Sequence, residues 1–163
     1  MTASIRLPKI LLASLLIASM AIAIMFGAFT PKAQASVSWG QEVTAVGNLY
    51  IKSPYKWGGK TPKGFDASGY TQYVFKKSAA KINLPASSKN QFKVGKAVKQ
   101  KDLQEGDLVF FKTNGKDVSF VGIYLSKGQF LAVTVSKGVS VQNMSSKYWK
   151  DKYAGAKRVL PKY

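Results

Sequence analysis

The 163-residue chain contains no cysteine and no histidine, and only 7 aspartates and glutamates against 25 lysines and arginines. Without cysteine there is no disulfide framework, no thiolate nucleophile and no thiolate metal site. Without histidine the usual general base near neutral pH and the commonest metal ligand are both missing. The acids are Glu42, Asp66, Asp102, Glu105, Asp107, Asp117 and Asp151. They form no calcium-loop or paired-ligand pattern, so neither a metal nor a cofactor is expected. The sequence also lacks internal repeats and low-complexity linkers.

One long hydrophobic run is present. Arg6 and Lys9 precede an apolar stretch from Ile10 to Phe29, followed by Pro31 and the small residues Ala33 and Ala35 around Gln34. This is the pattern of an export signal, residues 1–35, with cleavage before Ser36. The rival reading is an uncleaved membrane anchor, since about 20 apolar residues span a bilayer. Both place the remainder, residues 36–163, outside the cytoplasm as a secreted, wall-associated or membrane-anchored domain. That remainder is the size of one ordinary domain and carries 22 basic against 7 acidic residues, a net +15. In the cytoplasm such a charge suggests nucleic acid. Outside the cell the available polyanions are wall polymers such as teichoic acids and anionic lipid head groups, so no nucleic-acid partner is expected.

Along this domain, Trp39, Val43, Val46 and Tyr50 fall at helical spacing despite Gly47. "KSPYKWGGKTPKGFD" breaks the pattern with Pro54, Gly58, Gly59, Pro62 and Gly64 and reads as an aromatic-rich loop. Asp66 is a natural N-cap for a second helix that presents Tyr70, Tyr73, Val74 and Phe75 and ends in Lys76, Lys77 and Lys81. In "SSKNQFKVG", Ser88 and Gln91 stand at capping-box spacing for a short third helix. The period then changes. "GDLVFFK", "SFVGIYLS", "GQFLAVTV", "KGVSVQNM" and "AGAKRVL" are short β-branched and aromatic runs, with "SKGQ" and "SKG" as hairpin connections. Helices first and an antiparallel sheet after them predict an α+β fold.

Taken in order, "PYKWGGKTPKGFDASGYTQYVFKK", "LPASSKNQFKVGKAVKQKDLQEGDLVFF", "SFVGIYLSKGQFLAV" and "YWKDKYAGAKRVL" resemble the NlpC-type cell-wall endopeptidases, the papain-like family also named for the p-sixty secreted protein. The resemblance runs from Val37 to Leu160 and implies N-terminal helices packed on an antiparallel sheet. It further implies an active site in which a cysteine thiolate opens a helix, where unpaired N–H groups and the helix dipole stabilise it. A strand histidine exchanges the proton and a third polar residue orients it. Carried over by position, the cysteine falls on Ala67, the histidine on Phe120, and the third residue on or beside Ala132.

All three positions are apolar. The expectation is therefore a secreted, catalytically degenerate relative, a pseudoenzyme and not an enzyme, that binds peptidoglycan stem peptides or anionic wall polymer. One alternative is a partner or inhibitor of active wall hydrolases. Another is an active endopeptidase using a non-cysteine nucleophile such as Ser68, with a lysine as base. The candidate ligand contacts are Tyr55, Asp66, Ser68, Trp57 and Ser119. Tyr55 is read as the aromatic beside the ligand's amine end, or else a core tyrosine. Trp57 is read as core packing ahead of ligand platform, because the glycines after it suggest close backbone approach. Asp66 has a structural role as helix cap, and Ser68 one as a hydroxyl bonded to first-turn backbone groups. Phe120 either fills the cleft or forms a wall of it, and Ala132 shares that ambiguity.

Overall fold

A computed structural model describes residues 37–161, so the signal segment and its cleavage site lie outside the described residues. Among the described residues no helix is long and apolar enough to cross a membrane.

Helix α1, Trp39–Asn48, begins at Ser38, whose Oγ accepts from the Gln41 N–H while Gln41 Oε1 accepts from the Ser38 N–H. This capping box satisfies two groups that the first turn leaves unpaired. Strands β1, Lys60–Thr61, and β2, Gly64–Phe65, form a small hairpin that leads into α2, Ala67–Lys77. Helix α2 buries Ala67, Gly69, Tyr70, Thr71, Val74 and Phe75. The expected face is therefore correct except at Tyr73, which is half-buried and meets Tyr50 and Phe65 edge-on.

The short α3, Ser88–Gln91, exists, but its cap differs from the expectation. Ser87 is the capping residue and accepts from the Asn90 N–H. Gln91 is fully buried and reaches into the protein, donating to the Ser68 and Pro85 carbonyls and accepting from Thr71 Oγ1. A buried amide is stabilised by filling its hydrogen bonds there, which outweighs a local capping contact.

The main sheet has six strands: β3 Lys96–Val98, β4 Leu108–Phe111, β5 Phe120–Tyr124, β6 Gln129–Thr134, β7 Gly138–Asn143 and β8 Tyr153–Arg158. All pairings are antiparallel, in the order β3-β8-β4-β5-β6-β7. The α+β expectation thus holds, and "SKGQ" and "SKG" are indeed the β5–β6 and β6–β7 connections. Elements that went unanticipated include the β1–β2 hairpin inside the expected loop, β3, and a helix α4, Lys147–Lys152, between β7 and β8.

Side chains alternate across the strands. On one face Leu108, Phe110, Val121, Ile123, Leu131 and Val133 pack with Val43, Phe65, Tyr70, Val74 and Phe75 of the helical layer. On the other, Val109, Phe111, Phe130 and Ala132 pack under Trp149 of α4 and Met144. The "LQEGDLVFF" segment is a turn into a strand, as expected. Its Asp107, almost fully buried, receives both Nε and Nη2 of Arg158 at 2.8 and 2.7 Å, and the Gln104 N–H at 2.8 Å. The hydrogen bonds from Arg158 to this carboxylate push the guanidinium pKa up.

Candidate active site

The Pro54–Phe65 loop is tied down by backbone bonds from Lys56 N to Phe65 O and from Phe65 N to Pro54 O, which bring Tyr55 beside Phe65. Its turn then lies against the first turn of α2, where the Asp66 N–H donates to Gly59 O at 3.0 Å. Gly69 permits this approach. A Cβ there would stand 2.0 Å from the Gly59 oxygen, closer than any real contact.

Asp66 caps α2, its Oδ1 accepting from the Gly69 N–H at 2.6 Å and from Ser68 Oγ at 3.0 Å. The cap expected from sequence is present. The Ser68 hydroxyl, expected on backbone groups or beside a lysine, is instead paired with this carboxylate. The cause is distance: an N-cap carboxylate bending over the first turn is within reach of residue i+2.

Above this turn lies a groove of about 760 Å³. Tyr55, Trp57, Asp66, Ala67 and Ser68 line one side, and Ser119 and Phe120 line another. All five candidate contacts are thus brought together, along with two of the three motif positions. Ser119 is held by Thr113 Oγ1 at 2.8 Å and accepts from the Asn114 N–H at 3.2 Å. The Tyr55 ring is half-buried against the core, and its hydroxyl has no hydrogen-bond partner among the described residues.

Trp57 corrects the core-packing expectation. It is 86% exposed at the groove's edge. Close backbone approach does occur at Gly59, where a Cβ would lie 2.3 Å from Gly64 O, but it folds the turn inward and leaves the indole outside.

Phe120 lines the groove rather than filling it. Its ring stacks at a tilt on Trp149, 4.9 Å between centroids, and meets Phe111 at 6.3 Å. Ala132 is fully buried in the cluster beneath Trp149 and does not line the groove.

Sequence reasoning missed the opposite bank. Val133, Val135 and Lys137 come from the β6–β7 hairpin, and Tyr148 and Trp149 from α4. Val135 and Tyr148 are exposed, at 76% and 53%. The "SKYWK" run, aromatic between polar residues, was the available signal. Asp66 and Lys137 are the charged residues among those lining the groove. Among the described residues no group of acids is placed to hold a metal ion.

Residues 52–158 match the NlpC/P60 family. The chain belongs to the NlpC/P60 family. It is 45% identical over 120 residues to a gamma-DL-glutamyl hydrolase of Bacillus subtilis, an alignment covering 72% of this chain and 28% of that protein. It is 41% identical over 106 residues to the murein DD-endopeptidase and LD-carboxypeptidase MepS of Escherichia coli, covering 65% of this chain and 55% of that one. Among solved structures it resembles RipD of Mycobacterium tuberculosis, with a TM-score of 0.63 and 30% identity over 76% of this chain and 98% of that one. That protein is described as a non-catalytic NlpC/p60 domain protein adapted to peptidoglycan binding.

The chain spans between a quarter and somewhat over half of the two curated relatives' lengths. Their names correct the expectation that this NlpC/P60 member is not an enzyme: relatives 41–45% identical to it are named for hydrolysis. The physical reason lies in the step from residues to activity. Missing cysteine and histidine exclude a thiolate–imidazole mechanism, but not hydrolysis by the hydroxyl and carboxylate that the same helix start presents.

Proposed function

We propose that this groove takes peptidoglycan stem peptides. The observation that carries the reading is the convergence of Tyr55, Asp66, Ser68 and Phe120 on one groove at the start of α2. The site offers a peptide an apolar wall in Phe120 and Val133, hydrogen-bonding groups in Ser68 and Ser119, and opposite charges in Asp66 and Lys137. Binding energy in such grooves comes mainly from groups away from the cleaved bond, so it survives changes at the reacting atoms. The peptidoglycan-binding description of RipD supports the same ligand class.

The relatives' names favour a second step, hydrolysis of the bound amide. Within the groove the pair suited to it is Ser68 with Asp66, already hydrogen-bonded at 3.0 Å. Ser68 Oγ would add to the carbonyl carbon while Asp66 takes its proton, and the proton would then pass to the departing amine. Water would release the acyl group from Ser68. A carboxylate is a weaker base toward a serine hydroxyl than an imidazole, so turnover is expected to be slow.

The excess positive charge supports a further contact with anionic wall polymer, and wall localisation follows from both. Capture of an active hydrolase has no comparable support in the geometry.

The test is incubation of residues 36–163 with whole peptidoglycan, with mass spectrometry of released fragments and a pull-down of bound protein. Binding that falls in Tyr55→Ala supports the groove as the site. Fragments that vanish in Ser68→Ala support hydrolysis there, whereas retention without fragments limits the domain to recognition. Absence of both binding and fragments overturns the proposal.

A further inference from the structure

A second cleft, of about 380 Å³, lies on the flank of α2 away from the residues that form the groove. It is lined by Lys60, Lys76, Lys77, Gln72, Tyr73 and Asn83, together with Gly69 and Leu84, and by no carboxylate. The two sites share no lining residue. Lys60 comes from β1, and its stem crosses α2 at Gly69, where a Cβ would meet the lysine's Cγ at 3.1 Å. Lys76 and Lys77 come from the last turn of α2, and the Lys77 ammonium stands 5.8 Å over the Tyr73 ring.

We infer that this cleft binds a phosphodiester segment of an extracellular polyanion, such as a polyol-phosphate chain. Three exposed lysines line the cleft, and none of them forms an ion pair among the described residues. Two of the buried or helix-side acids are already engaged. Glu42, on the helix packed against α2, is taken up by the Ala79 N–H at 2.7 and 2.8 Å, and Asp107 by Arg158. Like charges gathered without counter-charge repel, and an anion reverses the sign of that interaction.

The remaining groups narrow the class. Gln72 donates its amide to Leu84 O at 2.8 Å and leaves Oε1 buried without a hydrogen-bond partner. A rotation of this amide toward the cleft, giving up the Leu84 bond, would offer that oxygen to a ligand hydroxyl, a donor that a phosphodiester linkage itself lacks. Asn83 and the Tyr73 hydroxyl, 3.5 Å from Tyr50 Oη, add polar groups at the same cleft. The cleft's concavity suits a single strand entering it better than the flat surface of a membrane. The inference is independent of what occupies the groove.

The experiment measures binding of residues 36–163 to poly(glycerol phosphate) by calorimetry between 50 and 300 mM salt, with wild type and two triple variants, in the manner of ~0.7 counterions released per cation on a flexible polyanion. One variant is Lys60→Gln/Lys76→Gln/Lys77→Gln. The other, Lys96→Gln/Lys99→Gln/Lys101→Gln, removes the same charge from the exposed β3 region. The expected result is a loss of about tenfold or more in the cleft variant and a shallower logarithmic salt slope, by about 2, with the control within about threefold of wild type. Equal losses in the two variants would assign binding to diffuse charge and overturn the site, as would no binding by wild type. Tighter binding to phosphatidylglycerol vesicles than to the polymer, with the same variant dependence, would overturn the polymer in favour of a lipid surface. Muropeptide binding unchanged in the cleft variant keeps this result separate from that of the groove.

Discussion

Tyr70 joins α1 to α2, the helix whose start lines the groove, and its replacement by phenylalanine has a stability signature that depends on pH. The ring is fully buried and its hydroxyl donates to the Gly47 carbonyl at 2.9 Å. Burial pushes the phenol pKa well above its ordinary value. Below pH 10 both folded and unfolded chains hold the proton, and Tyr70→Phe costs only the hydrogen bond, about 1–1.5 kcal/mol, since the Gly47 carbonyl keeps the Tyr50 N–H at 3.1 Å. That is a fall of about 4–8 °C in Tm for a domain of this size. Above pH 10 the unfolded tyrosine ionises while the folded one does not, so the unfolded state holds fewer protons and wild-type stability falls by about 1.4 kcal/mol per pH unit. The phenylalanine variant has no such loss at this position. Its deficit therefore shrinks between pH 9 and 11 by about 1.4 kcal/mol, nearly to parity. Urea unfolding of both proteins at pH 8, 9, 10 and 11 reads this directly, and the lysines and the other tyrosines cancel in the difference. A deficit that stays constant to pH 11 would refute the argument, showing that Tyr70 ionises as freely in the folded protein as in the unfolded one.

Gly69→Ala drives a methyl into the Gly59 carbonyl, so it is expected to destabilise by about 3 kcal/mol in urea unfolding and to weaken muropeptide binding by displacing Tyr55 and Trp57. Trp57→Ala removes an exposed ring: Tm should move by less than about 2 °C, while muropeptide affinity falls measurably, and unchanged affinity would remove Trp57 from the site. Asp107→Ala takes the carboxylate from Arg158, which keeps only the Asp102 carbonyl at 3.1 Å, and leaves the Gln104 N–H unpaired. The expected loss is about 2–3 kcal/mol, less than for a fully buried pair because Arg158 is 27% exposed.

What the sequence could reveal was governed by how local the cause is. The Asp66 cap was legible because an N-cap carboxylate acts within three residues of itself, and the strands were legible because alternation is a property of a few consecutive positions. Gln91 sat at a capping spacing, yet its amide is used by Ser68, Thr71 and Pro85, partners assembled only when α3 docks on α2. Trp57 was misread for a related reason. Gly59 does mark a close approach, but a glycine does not say on which side of its turn the neighbouring ring will stand. The bank formed by Val135, Lys137 and Tyr148 went unread, despite the aromatic "SKYWK" run, because it is built from a hairpin and a helix 80 to 93 positions beyond Tyr55.

Phe120 shows how such distant contacts set the chemistry of the site. Its position on β5 follows from the strand pattern, but its orientation depends on Trp149, which is fixed by packing on Phe111 and Phe130 and by its indole N–H donating to Gln142 Oε1 at 3.2 Å. With that indole in place, the β5 wall of the groove is apolar, and Ala132 behind it is closed off from any ligand. Polar lining comes from the α2 start, from Ser87 and Ser88, from Thr113 and Ser119, and from the far bank with Lys137, Gln142 and Ser146. A peptide bound as proposed would meet an apolar wall at Phe120 and Val133 with polar groups around it. The proposed hydrolysis starts from the α2 side, where Ser68 Oγ donates to Asp66 Oδ1 at 3.0 Å.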